Sequence, residues 1–127
     1  MKKSIEYDCK CVERILGYIQ KLKDMQERFK VHNLDDFNKD DIYQLATAQI
    51  FTNIYETEKN IQESTLDKLT VLKKLNLKVP RNIASHDYES LDFAILYRQV
   101  IQLLNSKLTN ELEAFINDNK RNEGSDF

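Results

Sequence analysis

The sequence predicts an all-α protein, an antiparallel bundle of four to five helices around one core. Three observations predict it. Two glycines and one proline in 127 residues leave little turn chemistry for hairpins. Apolar side chains recur at three- and four-residue spacing through most of the chain, which is the period of one helix face. A hydrophobic content of 41% beside 31% charged residues suits one globular domain, long enough for a single core but not for two.

The elements follow in order. Ser4 is a helix cap, and Ile5, Cys9, Val12, Ile15, Leu16, Ile19, Leu22 and Phe29 mark the inner side of a first helix. From Val31 to Asp40 the period lapses, and the stretch reads as a connecting loop. A second helix is expected over Asp41 to Gln62, with Ile42, Leu45, Ala46, Gln49, Ile50, Ile54 and Ile61 turned inward. A third starts after Ser64 or Thr65, burying Leu66, Leu69, Leu72 and Leu75 and turning Lys68, Lys73 and Lys74 outward. Pro80 pushes the residue before it out of helical geometry and suits the first position of a new short helix. Asp87 or Ser90 then caps the last long helix, whose stripe is Phe93, Leu96, Tyr97, Val100, Leu104, Leu108, Leu112 and Phe115. Ile95, Ile101 and Ile116 widen that stripe, as a central helix or a dimer interface would require. The domain is placed at 1–116, and the polar, aperiodic stretch 117–127 is read as a frayed tail.

Composition narrows the function. A net charge of −2 and a pI near 5.7 argue against a scaffold coated with basic residues for nucleic acid, though not against a local basic patch. No apolar run approaches the roughly 20 residues that span a bilayer, and Met1-Lys2-Lys3 leads into an amphipathic pattern, so a cytoplasmic protein is expected. Cys9 and Cys11 lack further ligands at metal spacing and read as reduced thiols, Cys9 at least partly core-facing. His32 likewise lacks a partner and reads as a solvated loop residue. No cofactor or metal is called for. No internal repeat, glycine-rich phosphate loop, HExxH or nucleophile elbow is present.

The polar residues mostly read as solvated helix faces, with one exception. Directly after Pro80, the run Arg81-Asn82-Ile83-Ala84-Ser85-His86-Asp87-Tyr88 joins a cation, an imidazole and a phenol. The spacing Arg-x4-His-x-Tyr resembles the signature of the HepT-like family, a branch of the HEPN domains whose members are small helical ribonucleases, often toxins of toxin–antitoxin pairs. Asn82 and Asp87 also match the RNxxxHDY form of that signature. The resemblance extends along most of the chain. Asn53-Ile54-Tyr55-Glu56 is similar to the family's Ile-Gly-Glu region with Tyr55 in place of glycine, and Leu91 to Tyr97 is similar to the stretch after the motif, with Tyr97 where tryptophan is common. Val79-Pro80 before Arg81 departs from the pattern, as does the absence of tryptophan.

These residue types suit metal-independent RNA cleavage. That reaction deprotonates a 2′-hydroxyl, adds negative charge at phosphorus and protonates a departing 5′-oxygen. A histidine handles protons near neutral pH, which makes His86 the candidate acid or base. An arginine grips phosphate in a planar, permanently charged fork, which makes Arg81 the candidate phosphate clamp. On one continuous helix, however, residues five apart lie roughly 140° from each other around the axis. Either the helix ends near His86 and the chain turns, or a second copy completes the site. The resemblance implies the second, a homodimer whose two motifs meet in one cleft. It also implies that Tyr88 accepts AMP groups from a partner antitoxin, a small MntA-type nucleotidyltransferase. A Tyr88 that only packs at a helix junction is the plain alternative. Glu56 is either support for the site or an ordinary exposed charge, and Lys73, Lys74 and Lys78 are either RNA phosphate contacts or a solvated basic face. A non-catalytic helical subunit that docks a nucleotidyltransferase is the alternative function. A plain interaction domain with a chance motif is a third.

Overall fold

The computed structural model describes residues 4–75 and 93–124. Among these residues the chain forms seven helices and no strand: α1 (Ile5–Phe29), α2 (Leu34–Lys39), α3 (Asp41–Glu58), α4 (Glu63–Leu66), α5 (Thr70–Lys74), α6 (Phe93–Leu103) and α7 (Ser106–Gly124). Four of them are substantial, and they pack as a bundle around one core. None is long and apolar enough to cross a membrane.

Helix α1 runs through the middle, packed on α3 at one side and α7 at the other. Two partners explain why it buries more than one stripe. Cys11 joins Cys9, Val12, Ile15, Ile19 and Leu22 in the interior, and so does the carboxylate of Asp8. The Ser4 hydroxyl accepts a hydrogen bond from the Tyr7 N–H, as an N-cap should. At the other end Lys30 turns into the left-handed region (φ 56°), and its N–H closes the helix on the Gln26 and Glu27 carbonyls. The two ends of the expected stripe, Ile5 and Phe29, are partly exposed. Helices α1 and α3 run antiparallel. Phe29 meets Tyr43 at the start of α3, and Asp8 meets Gln62 just beyond its end.

Three expectations need correction. The stretch after α1 is not all loop, for it contains α2. Asn33 accepts from the Asp36 N–H (2.8 Å) while the Asp36 carboxylate accepts from the His32 N–H (3.0 Å), a reciprocal cap that starts a helix without an apolar period. His32 itself is exposed, as expected. Phe37 of α2 is fully buried and centres an aromatic cluster, its ring 5.5 Å from Tyr43 and 5.3 Å from Tyr97. Burial, with Tyr97 nearby, pushes the Tyr43 hydroxyl up to about 12.

The face of α3 is the second correction. Tyr43, Gln44, Thr47, Ala48, Phe51 and Thr57 face inward with Ile50 and Ile54, whereas Ile42 (64% exposed) and Leu45 (54% exposed) face out. The helix is apolar on more than one side, and the bulky rings of Tyr43 and Phe51 take the core. It also stops at Glu58 rather than Gln62.

Third, two expected helices are each divided. The leucine-rich stretch forms α4 and α5, broken at Leu69, yet Leu69, Leu72 and Leu75 are buried as predicted and Lys68, Lys73 and Lys74 are exposed. Thr65 is buried against Asp8 rather than acting as a cap. The last helix is divided into α6 and α7 where the Asn105 side chain accepts from the Lys107 N–H (2.8 Å). Leu96, Val100, Leu108 and Leu112 still line the core, with Leu103 added and Ile101 exposed. Helix α7 runs on to Gly124, past the point where the apolar period stops.

Candidate functional site

Arg81, Asn82, His86, Asp87, Tyr88 and Lys78 lie outside the described residues. What the structure places is the frame on either side of them. Six positions before Arg81, Leu75 closes α5 with its side chain in the core. Five positions after Tyr88, α6 begins, and it is held by buried Leu96, Val100 and Leu103 and by Tyr97 against Phe37. Burial raises the Tyr97 hydroxyl above the ordinary tyrosine range, with the charge of Asp36 adding to it. Both described segments that flank the motif in sequence are therefore packed into the bundle.

The segment that precedes the motif, α4 and α5, is held by two carboxylates of distant helices. Asp8 of α1 is fully buried and accepts from the Gln62 N–H (3.2 Å), the Gln62 side-chain amide (2.8 Å) and the Thr65 hydroxyl. Glu111 of α7 accepts from the Val71 N–H at both oxygens (3.1 Å each), from the Leu72 N–H (3.1 Å) and from the Thr70 hydroxyl (3.3 Å). Together they fix α4 and α5 against the bundle. Neither carboxylate stands out in the sequence. Asp8 sits one residue from the apolar stripe of α1, and Glu111 looks like any charge on an amphipathic helix; only contacts across roughly 40 to 57 positions reveal them.

Of the predicted site residues that are described, Glu56 and Lys73 come to the same end of the molecule. An open groove there is lined by Lys59, Ile61, Gln62, Glu63, Leu66 and Lys73. Glu56, one turn before Lys59, pairs with it at 3.0 Å. The Lys59 ammonium also lies 5.6 Å from the centre of the Tyr55 ring. Lys73 pairs with Asp67, which as hydrogen-bond partner and neighbouring charge raises it above the ordinary lysine range. Both cations of this groove thus have carboxylate partners on the surface. Lys74 is exposed on the next position of α5.

Glu58, in the last turn of α3, is a group sequence reasoning missed. One of its oxygens is buried with no hydrogen-bond partner among the described residues, and burial pushes the carboxyl up to about 7. Cys9 and Cys11 are buried and form no disulfide.

The described residues define a small all-α bundle, and the polar motif falls in sequence between α5 and α6. The family model described as "Ribonuclease HepT-like" matches residues 15–118, from the middle of α1 to the latter part of α7. The chain belongs to the HepT-like ribonuclease family. No curated protein and no solved structure matches it.

Proposed function

We propose that this protein is a metal-independent RNA endonuclease, the toxin component of a toxin–antitoxin pair. Membership of the HepT-like ribonuclease family across residues 15–118, with Arg81-x4-His86-x-Tyr88 inside that range, carries the reading. His86 acts as general acid or base: the 2′-oxygen bonds to phosphorus as its proton leaves, and the bond to the 5′-oxygen breaks as that oxygen gains a proton. Arg81 neutralises the charge that builds on the phosphoryl oxygens. Asn82 and Asp87 support the pair, Glu56 is a further supporting residue, and Lys73, Lys74 and Lys78 contact the RNA backbone.

In this reading the protein works as a homodimer in which two motifs share one cleft, as the family resemblance implies; that arrangement would bring together residues that, five positions apart, do not share a face of one continuous helix. An MntA-type nucleotidyltransferase antitoxin silences it by attaching AMP to Tyr88. A bulky anionic adduct two residues from His86 obstructs the cleft and repels an RNA phosphate.

Arg81→Ala and His86→Ala are each expected to reduce RNA cleavage at least about 100-fold, with helicity by circular dichroism unchanged. Undiminished cleavage by either variant removes that residue from the mechanism. Coexpression with an MntA-type nucleotidyltransferase is expected to add one or more AMP masses at Tyr88. A non-catalytic docking subunit for the nucleotidyltransferase is the second reading. The net charge of −2 and the pairing of Lys59 with Glu56 and of Lys73 with Asp67 favour it, since they leave little unopposed positive charge on the described surface of the groove. A purified protein that cuts no RNA yet binds that partner and tolerates His86→Ala would establish it.

A further inference from the structure

The large apolar side chains left exposed among the described residues are unevenly spread. Ile5 and Tyr7 stand at the start of α1 and Ile101 on α6, whereas Phe29, Ile42 and Leu45 belong to the region where the end of α1 meets the start of α3. A groove runs between those two helices there, lined by Met25, Phe29, Ala46 and Ile50 together with the charged Asp24 and Arg28. Ile42 lies one turn before Ala46, and Leu45 one turn before Gln49, a further lining residue, so the two continue the apolar wall towards the start of α3. Helix α3 has already given Tyr43, Phe51 and Ile54 to the core, and Ile42 and Leu45 are a surplus left in water. A contiguous exposed apolar patch marks a surface that another molecule covers.

The charges on α1 select the occupant. Asp24 and Arg28 stand one turn apart in the lining and carry opposite signs. Asp24 accepts from the Gln20 amide at 3.1 Å, and neither it nor Arg28 has an ion-pair partner among the described residues. A two-fold interface sets one patch against itself, so the patch must hold both members of every contact. An axis that crosses α1 midway between Asp24 and Arg28 places Asp24 of each copy against Arg28 of the other, twice over. A partner of one charge sign would instead meet one of the two residues favourably and the other unfavourably. We propose that the α1–α3 groove is an interface with a second copy of this chain, which buries Phe29, Ile42 and Leu45 and pairs Asp24 with Arg28 across the axis. The contact draws on described residues alone and does not depend on RNA cleavage.

Sedimentation velocity on the full chain over a concentration series tests it, with circular dichroism to confirm that each variant is folded. A patch of roughly ten residues is smaller than the usual interface of about 20–30 a side, so the wild type is expected to dimerise with a Kd in the micromolar range. Leu45→Glu, at an exposed position, is expected to weaken that association at least about 10-fold. Arg28→Glu and Asp24→Lys each set like charges against each other across the axis, and each should weaken it on its own. Mixed together, these two single variants restore opposite charges at both contacts, so the mixture should form a heterodimer tighter than either variant forms alone. A charge pair confined to one chain gives no such rescue. A wild-type dimer that Leu45→Glu leaves intact, or a mixture that associates no better than its components, overturns this interface while leaving a homodimer through another face. A wild type that stays monomeric throughout the series overturns both this interface and the homodimer of the proposed function, and leaves RNA cleavage to be judged by its own assay.

Discussion

Asp8 and Glu58 are both carboxylates withdrawn from water, and the bundle treats them in opposite ways. Asp8 lies at 0% exposure near the start of α1, with three hydrogen bonds from Gln62 and Thr65 converging on it. Glu58 ends α3 with one oxygen buried and no donor directed at it among the described residues, and burial drives its carboxyl up to about 7. Burial alone is a cost to an ionised group, and only convergent donors turn it into a clamp. Asp8 therefore joins two segments 54 to 57 positions apart, while Glu58 strains against its surroundings whenever it is ionised.

Removing the clamp should have the largest effect on stability. Asp8→Ala takes one acceptor group away from three donors, two of them on Gln62, and is expected to cost on the order of 3 kcal/mol. A fall in melting temperature of roughly 10 °C would register it. Asp8→Asn should cost less, because one oxygen still accepts. If Asp8→Ala melts within about 2 °C of wild type, the contrast between the two carboxylates is not energetic.

The opposite sign is expected at Glu58. Its folded value near 7 lies above the ordinary 4.5, so the folded state binds its proton more tightly than the unfolded chain does. The stability this group contributes is complete below pH 4.5, is lost as pH rises from there to about 7, and changes no further above that. Discounted for its partial exposure, the loss is on the order of 1–2 kcal/mol. Glu58→Gln, neutral at every pH, should be more stable than wild type by about that amount at pH 8 and nearly equal to it at pH 4.5. Paired urea titrations at the two pH values measure this difference. A variant that is no more stable at pH 8 would mean that a donor reaches Glu58 after all.

How much of this was legible beforehand depends on whether the determining contact is local. Ser4 and the inner residues of α1 follow from cap chemistry and periodicity, and the all-helical bundle follows from the same patterns. Helix α2 was missed although its signal is local: Asn33 accepts from the Asp36 N–H and Asp36 from the His32 N–H without an apolar repeat, and the single buried Phe37 sets no period. The face of α3 was misjudged because Ile42 and Leu45 compete with Tyr43 and Phe51 on a helix apolar on both sides, and only the fit of the rings into the core decides. The break between α4 and α5 was out of reach, since Asp8 and Glu111, which secure the two pieces, come from far along the chain. At the candidate site the order is reversed. The Arg81, His86 and Tyr88 pattern is plain in the sequence, whereas the contact that anchors α5, Glu111 on the Val71 and Leu72 N–H groups, became visible only through packing.

Glu56 gives the smallest expected effect on stability and separates stability from function most cleanly. It differs from both buried carboxylates in that its side chain is 44% exposed and its described partner, Lys59, is 52% exposed, at a separation of 3.0 Å on the same helix end. Exposed pairs three or four positions apart contribute roughly 0.3–0.5 kcal/mol, because water screens the attraction and ordering two long side chains offsets part of it. Glu56→Gln should therefore leave the melting temperature within about 2 °C of wild type. Cleavage is then the discriminating measurement. If Glu56 supports the site, activity falls while stability does not, since a group that acts on RNA or on the motif need not hold the fold together. If activity also stays at the wild-type level, Glu56 is an ordinary exposed helix charge, the alternative reading of this residue.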